Sequence, residues 1–242
     1  MRDSQLEVGR AKLLAGSSRV AEQFDHLGYA IVDDVLSQTE SLQIIAQLDL
    51  LGRTGPGMRN LLDEPWCRSL VSKLKANSRI ANILPVDLVS IQCTLFDKTP
   101  EANWLVAIHQ DLSVPVKQRV SHPALGVWSE KDDQLHVQAP VELLGKLIAL
   151  RLHIDKCGSE NGALRVVPGS HRHGRLGQYE CCEHRDQHGD ATCEVDAAGA
   201  MLMRPLLLHA SSKARAPLRR RVLHFLFAPK LPGYGLQWQY SV

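Results

Sequence analysis

The stretch "LVAIHQDLSVPV" at 105–116 places His109 and Asp111 in an apolar run with only Gln110 between them. In an extended chain, residues two apart share a face, so an imidazole and a carboxylate converge where Leu105 and Ala107 suggest a buried strand. Buried charge needs a partner. A metal ion explains both side chains at once, while a surface-facing strand end or a simple His–Asp hydrogen bond explains them too.

A second histidine bears on that choice. In "MRPLLLHASSKARAPLRRRVLHF", His209 ends an apolar run much as His109 does, on a different strand. Two histidines and one aspartate presented from strand ends form the facial set that binds non-haem Fe(II) and leaves coordination positions open. A core histidine bonded to backbone is the plainer alternative. The run Arg219-Arg220-Arg221 favours the metal, because a guanidinium on the next strand can fix the far carboxylate of 2-oxoglutarate by paired, charge-assisted hydrogen bonds. Ser211 offers a hydroxyl beside it.

The elements that must position these groups follow from periodicity. Residues 1–80 are mostly helical: Ser37 and Glu40 form a capping-box signature ahead of Leu42, Ile45, Leu48 and Leu51, with Gly52 as the stop. A second helix starts near Asp63 and Pro65 and carries Trp66, Leu70, Val71 and Leu74. "YAIVDDVL" after Gly28 reads as a strand. From residue 86 the chain turns to short strands: "VDLVSIQCTLF", "WLVAIH", "KLIALRLHI", "GALRVVPGS", "TCEVD", "AMLMRPLLLH" and "RRVLHFLFA". No helix of comparable strength intervenes, so the expectation is an antiparallel double-sheet jelly roll or barrel with the helices on an outer face. Residues 112–145 form a long polar excursion of the kind that closes over a site.

Composition sets limits. The 242 residues are 44% hydrophobic, enough for one core, and 28 basic against 26 acidic residues give no electrostatic footprint for nucleic acid or an anionic membrane. No apolar run is long enough to span a bilayer, and "MRDSQLEVGR" lacks the apolar core of a secretory signal, so the expected setting is cytoplasmic. The six cysteines suit reduced thiols. "CCEHRDQHGDATC" gathers Cys181, Cys182, His184, His188 and Cys193, but in no familiar zinc spacing, and it reads as a solvated loop.

"HQDL", "ENGALRVVPGSHRHG" and "RPLLLHASS" followed by "RRRVLHF" together resemble the phytanoyl-CoA dioxygenase family, which includes ectoine hydroxylase, over roughly residues 25–228. The resemblance implies a mainly β fold with flanking N-terminal helices: one domain over 1–242, with a cupin-like double-stranded β-helix core at 86–228 and a lid-like excursion at 112–145. It also implies Fe(II) held by His109, Asp111 and His209, and 2-oxoglutarate anchored by Arg220. Arg219 and Arg221 then meet solvent or an acidic neighbour, unless the register slips by one. Gln92 resembles a glutamine near the cosubstrate, and Ser211 a serine two residues after the distal histidine. Where some relatives carry a tryptophan, this chain has Arg151. Halogenating relatives replace the metal carboxylate, so Asp111 favours hydroxylation. The implied reaction consumes O2 and 2-oxoglutarate, releases succinate and CO2, and hydroxylates a small molecule; Lys117, Arg119, His122, Glu130, Lys131 and Asp133 are candidate contacts to it. Another divalent-metal enzyme and a non-catalytic β-helix binding module are the competing readings.

Overall fold

The computed structural model describes residues 18–52, 57–216 and 218–242. The chain runs through a helical segment over 18–27 (α1), β1 (Tyr29–Val32), α2 (Gln38–Leu50), β2 (Gly57–Met58), α3 (Pro65–Lys75), β3 (Leu88–Lys98) and β4 (Val106–His109). It continues with β5 (Ser113–Pro115), β6 (Trp128–Lys131), β7 (Gln134–Gln138), α4 (Val141–Leu144), β8 (Ile148–His153) and β9 (Leu164–Val166). The last elements are α5 (Gln178–His188), β10 (Ala191–Cys193), β11 (Ala200–Met203), β12 (His209–Ser211) and β13 (Arg220–Pro229). The reading of residues 1–17 lies outside the described residues.

A 6-stranded sheet, ordered β1-β11-β8-β13-β3-β2, and a 4-stranded sheet, β10-β9-β12-β4, form the jelly roll. Strand parity explains the layers. On β13, Leu223, Phe225 and Phe227 face outward and pack with Ile44, Leu48, Leu70 and Leu74 of the helices. Leu226 and Ala228 face inward, toward Leu164 and Val166 of the smaller sheet. Burying a side chain such as Phe225 or Phe227 contributes on the order of 1.5–3 kcal/mol.

Helix α2 has its capping box, with Glu40 N–H donating to Ser37 Oγ at 3.3 Å and Ser37 N–H to Glu40 Oε2 at 2.9 Å. Its buried face is Ile44 and Leu48, whereas Leu42 remains exposed. Helix α3 opens on Pro65, whose missing N–H is harmless in a first turn. Three expectations need correction. The run "AMLMRPLLLH" is two strands: β11 ends at Met203 in the large sheet, and after a turn through Arg204 and Pro205 the chain starts β12 at His209 in the small one. The Cys/His segment is helical over most of its length, as α5, with Gly177 N–H donating to Glu180 Oε2 at 2.6 Å. Residues 112–145 hold a three-stranded sheet, β5-β7-β6, and the short helix α4.

That small sheet is a wall of the site. Asp132 and Asp133 join β6 to β7 with φ of 48° and 61°, the left-handed pair of a two-residue hairpin turn. Arg59 clasps the turn through Asp132 Oδ2 at 2.6 Å. The open part of the excursion is the mostly exposed loop 117–127. Limited trypsin digestion is therefore expected to cut first after Lys117 or Arg119 and to spare the hairpin, and Fe(II) with 2-oxoglutarate should slow the cut. Equal rates with and without these ligands would count against a lid.

Candidate metal and cosubstrate site

Adjacent antiparallel strands of the 4-stranded sheet bring His109 and His209 together as directly opposed residues, since His109 closes β4 and His209 opens β12 in the same register. Their rings lie 4.2 Å apart between centroids. Asp111 Oδ1 is 3.6 Å from His109 Nε2, and its Oδ2 is 3.6 Å from His209 Nε2. The three ligating atoms all lie within 4.8 Å of one another, the only such His/Cys/Asp/Glu group among the described residues. Cys181, Cys182, His184, His188 and Cys193 do not gather into one.

Each imidazole is oriented by its own strand. His109 Nδ1 contacts Ala107 O at 2.9 Å, and His209 Nδ1 contacts Leu207 O at 2.9 Å. A proton on Nδ1 satisfies these carbonyls and leaves Nε2 a lone pair toward Asp111. Burial lowers the His209 pKa to about 4, so this ring is neutral at pH 7. Burial alone would raise the Asp111 carboxyl, but His209 and His109 hold it below the usual carboxylate range. Two neutral nitrogens and one carboxylate oxygen, opening on a cavity of about 410 Å³, fit a divalent ion such as Fe(II).

Gln110 points the other way and fixes the strand. Its Nε2 donates to Gly174 O and Leu206 O, both at 2.7 Å, and its Oε1 accepts from Leu176 N–H at 2.8 Å. Asp111 N–H adds a bond to Pro205 O at 2.9 Å. The middle residue of the His-Gln-Asp triplet thus ties β4 to the segments before α5 and β12, which holds the two histidine-bearing strands in register.

The three arginines divide by strand face. Arg219 donates to both oxygens of Asp97 at 3.0 and 2.8 Å, and Arg221 to both oxygens of Asp155 at 2.9 and 2.8 Å. Arg220 faces the cavity, is 3% exposed, and has no carboxylate partner among the described residues. Its Nη1 donates to Gly162 O and contacts Cys157 Sγ at 3.6 Å, while its Nε has no partner. Gly162 adopts φ +77°, and a Cβ there would meet Ser212 O at 2.7 Å. The "ENGALRV" turn therefore also supplies a carbonyl that orients Arg220.

Ser211 and Gln92 both line the cavity. Gln92 Nε2 donates to Thr94 Oγ1 at 2.9 Å. Of the polar residues proposed in the excursion, Lys131 lines the cavity. Arg119 instead lies over the Trp128 ring, and His122 packs edge-on to Tyr234.

The family model for phytanoyl-CoA dioxygenase (PhyH) matches residues 24–222. The chain belongs to this family. Phytanoyl-CoA dioxygenase family members use Fe(II), 2-oxoglutarate and O2, and the chain is accordingly an enzyme of the oxygenase type. No curated protein matches it. Among solved structures, the non-heme alpha ketoglutarate dependent epimerase SnoN from nogalamycin biosynthesis is 15% identical with a TM-score of 0.69, over 91% of this chain and 86% of that one. The related carbocyclase SnoK is 15% identical with a TM-score of 0.65, covering 87% and 83%. EctD from S. alaskensis with bound Fe is 19% identical with a TM-score of 0.65, covering 87% and 75%. At these identities the likeness establishes the shared jelly-roll fold.

Three buried polar groups at or beside the cavity were not singled out as site residues from the sequence of this phytanoyl-CoA dioxygenase family member: Arg151 and His224 line it, and Lys98 stands behind Ser211. Lys98, opposite Arg220 in register, is fully buried; its Nζ donates to Ser212 O at 2.8 Å and lies 3.5 Å from Ser211 Oγ. Burial, followed by the charge of Arg220, lowers its pKa to about 8. Arg151 and His224 form a buried pair on β8 and β13, with Nη1 3.3 Å from Nδ1. Burial brings the His224 pKa to about 3, so this imidazole is neutral and accepts from the arginine.

Proposed function

We propose that the protein is a non-haem Fe(II)- and 2-oxoglutarate-dependent dioxygenase that hydroxylates a small molecule, with succinate and CO2 as coproducts. Arg220 carries this reading: a buried guanidinium without a carboxylate shares one cavity with a two-histidine, one-carboxylate set, and 2-oxoglutarate offers a ligand to both. In this reading His109, Asp111 and His209 hold the iron. Arg220 takes the distal carboxylate with Ser211 and Lys98 beside it, and Gln92 lies along the cosubstrate. When bound, the metal, 2-oxoglutarate and dioxygen supply the oxidising chemistry.

The chain's own work is to hold and to exclude. The fixed Nδ1 bonds keep both imidazoles aimed with no reorganisation, and a neutral His209 avoids repelling a dication. Phe96, Trp104, Leu112 and Leu144 line the cavity and shield it from water. Its volume of about 410 Å³ is near the small end of ligand pockets, roughly 300–1,000 Å³, which favours a compact metabolite over a long acyl thioester enclosed whole. The described residues act as one catalytic domain, and six unpaired cysteines suit a reducing, cytoplasmic setting.

Anaerobic addition of 2-oxoglutarate to the Fe(II) protein is expected to produce a weak visible charge-transfer band, which requires bidentate chelation. With a metabolite panel in air, succinate should accumulate and the product should gain one oxygen atom. A product of unchanged mass would indicate epimerisation, and one short of two hydrogens a ring closure, either of which replaces hydroxylation. Stimulation by zinc, with no band, would overturn the oxygenase reading itself.

A further inference from the structure

Arg151 is the cavity group that the proposed reaction leaves unused. It projects from the inner face of β8, is 8% exposed, and lines the same cavity as the metal set. A guanidinium carries five N–H donors. Among the described residues its one hydrogen-bond partner is the neutral His224, its Nε has none, and no carboxylate lies within ion-pair distance. Phe96 sits under it, 5.4 Å from ring centroid to Cζ. Burial, and next the charge of Arg220, lower its pKa to about 10, so it remains cationic at neutral pH. A buried cation without a counter-charge is costly unless a ligand supplies one.

Two observations separate this charge from the cosubstrate's anchor. Arg151 stands opposite His224 and Arg220 opposite Lys98, four residues apart along β13, so the backbone positions from which the two side chains enter the cavity lie about 13 Å apart along the strand at roughly 3.3 Å per residue. In the reading above, one carboxylate of 2-oxoglutarate rests on Arg220 and the other is committed to the metal. The second observation is the charge balance. Asp111 is the one carboxylate among the described residues lining the cavity. A divalent ion and a 2-oxoglutarate dianion cancel, Asp111 offsets only one of the two guanidiniums of Arg151 and Arg220, and Lys131 and the Asp132-paired Arg59 line the cavity as well, so positive charge stays in excess.

We propose that Arg151 is the anchor for an anionic group of the substrate, a carboxylate or a phosphate, so that this oxygenase acts on small acidic metabolites. The inference rests on the 2-oxoglutarate reading and narrows its substrate class. Arg151 lines the cavity, a guanidinium fork can match either anion bidentately, and the Phe96 ring supports its plane. His224 holds one arm of the fork and keeps the guanidinium from folding back to the strand.

The test is anaerobic calorimetry on the Fe(II)·2-oxoglutarate protein, titrated with benzoate and, separately, with inorganic phosphate. The parent should bind one equivalent of at least one of them, and the better ligand names the anion. Arg151→Met and Arg151→Gln should weaken that binding by about tenfold or more, with Arg151→Lys intermediate, while 2-oxoglutarate affinity stays within about threefold. The ligand-free Tm of Arg151→Met should equal or exceed the parent's, since an unpaired buried charge has been removed; a purely structural arginine would lower it. A large loss of 2-oxoglutarate affinity in these variants would assign Arg151 to the cosubstrate and overturn the proposal. So would undiminished anion binding, or a parent that binds neither anion. Absence of the charge-transfer band in the parent would sink the cosubstrate reading instead, and the same titration of metal-free protein still decides Arg151.

Discussion

Alanine at His109 or at Asp111 is expected to abolish tight Fe(II) binding and with it turnover, while the fold survives. The loss should exceed the roughly 10–100-fold that removing a mere supporting partner of a ligand costs, because two remaining donors cannot close a facial set. The fold should hold because the strand does not depend on these side chains. Gln110 keeps its bonds to Gly174, Leu206 and Leu176 in both variants, and Asp111→Ala retains the backbone bond to Pro205 O. Removing the Asp111 carboxylate also removes the attraction that offsets burial at His109, whose pKa is raised above its usual value despite desolvation. Iron content after desalting and the anaerobic visible spectrum measure the effect, and circular dichroism checks the fold. Stoichiometric iron and parental turnover in both variants would dispose of the triad.

A Gln110→Ala variant separates positioning from ligation. It leaves all three donors in place but strands the buried carbonyl of Leu206, at about 1–3 kcal/mol for a buried unsatisfied group, along with the half-buried Gly174 carbonyl and Leu176 N–H. Its Tm should fall clearly, whereas the ligand variants should lose iron with little change in Tm.

The sequence exposes what depends on alternation and hides what depends on contacts made far along the chain. The His-x-Asp pair and the face on which Arg220 lies are both consequences of the two-residue period, and the apolar residues after Arg221 continue that period to Ala228. Strand β8 carries no such signal. All six of its residues are buried, so nothing in its pattern distinguishes Arg151 on the cavity side from Leu150 and Leu152 on the helix side. Lys98 sits at a strand end before Thr99 and Pro100, where a lysine ordinarily reaches solvent, and only the register with Arg220 buries it. Helix α5 escaped notice because it buries only Cys181 and has no apolar stripe to betray its period. The β6–β7 hairpin was missed for a local reason: its turn uses Asp132-Asp133, both at positive φ, where Asn-Gly or Asp-Gly would have been legible. The change of sheet within "AMLMRPLLLH" follows from Pro205, which cannot donate within a ladder, and that proline was readable.

Arg220→Ala is expected to weaken 2-oxoglutarate binding by about thirtyfold or more, since a lost bidentate contact to a desolvated carboxylate is worth roughly 2–5 kcal/mol. Iron affinity should change little, because the metal ligands stand on other strands. Alanine also leaves Gly162 O without its donor, so Arg220→Gln, which keeps an N–H near that carbonyl, guards against misreading a local rearrangement as lost recognition. The neighbouring arginines supply controls on the opposite face. Arg219 is 45% exposed at its side chain but its partner Asp97 is only 9% exposed, so Arg219→Ala leaves a buried carboxylate without its bidentate partner and should lower Tm while the 2-oxoglutarate requirement stays unchanged. Arg221 is 10% exposed and satisfies both oxygens of Asp155, so Arg221→Ala should lower Tm without altering the requirement for 2-oxoglutarate. Titration of the anaerobic visible band with 2-oxoglutarate reads cosubstrate affinity in all four variants, and thermal melts read stability. If Arg219→Ala or Arg221→Ala carried the affinity loss, the anchor would have to reach the cavity from the opposite strand face, and the site as built here would be wrong. Should every arginine variant bind 2-oxoglutarate like the parent, the unpaired guanidinium of Arg220 serves some other anion and the cosubstrate assignment falls.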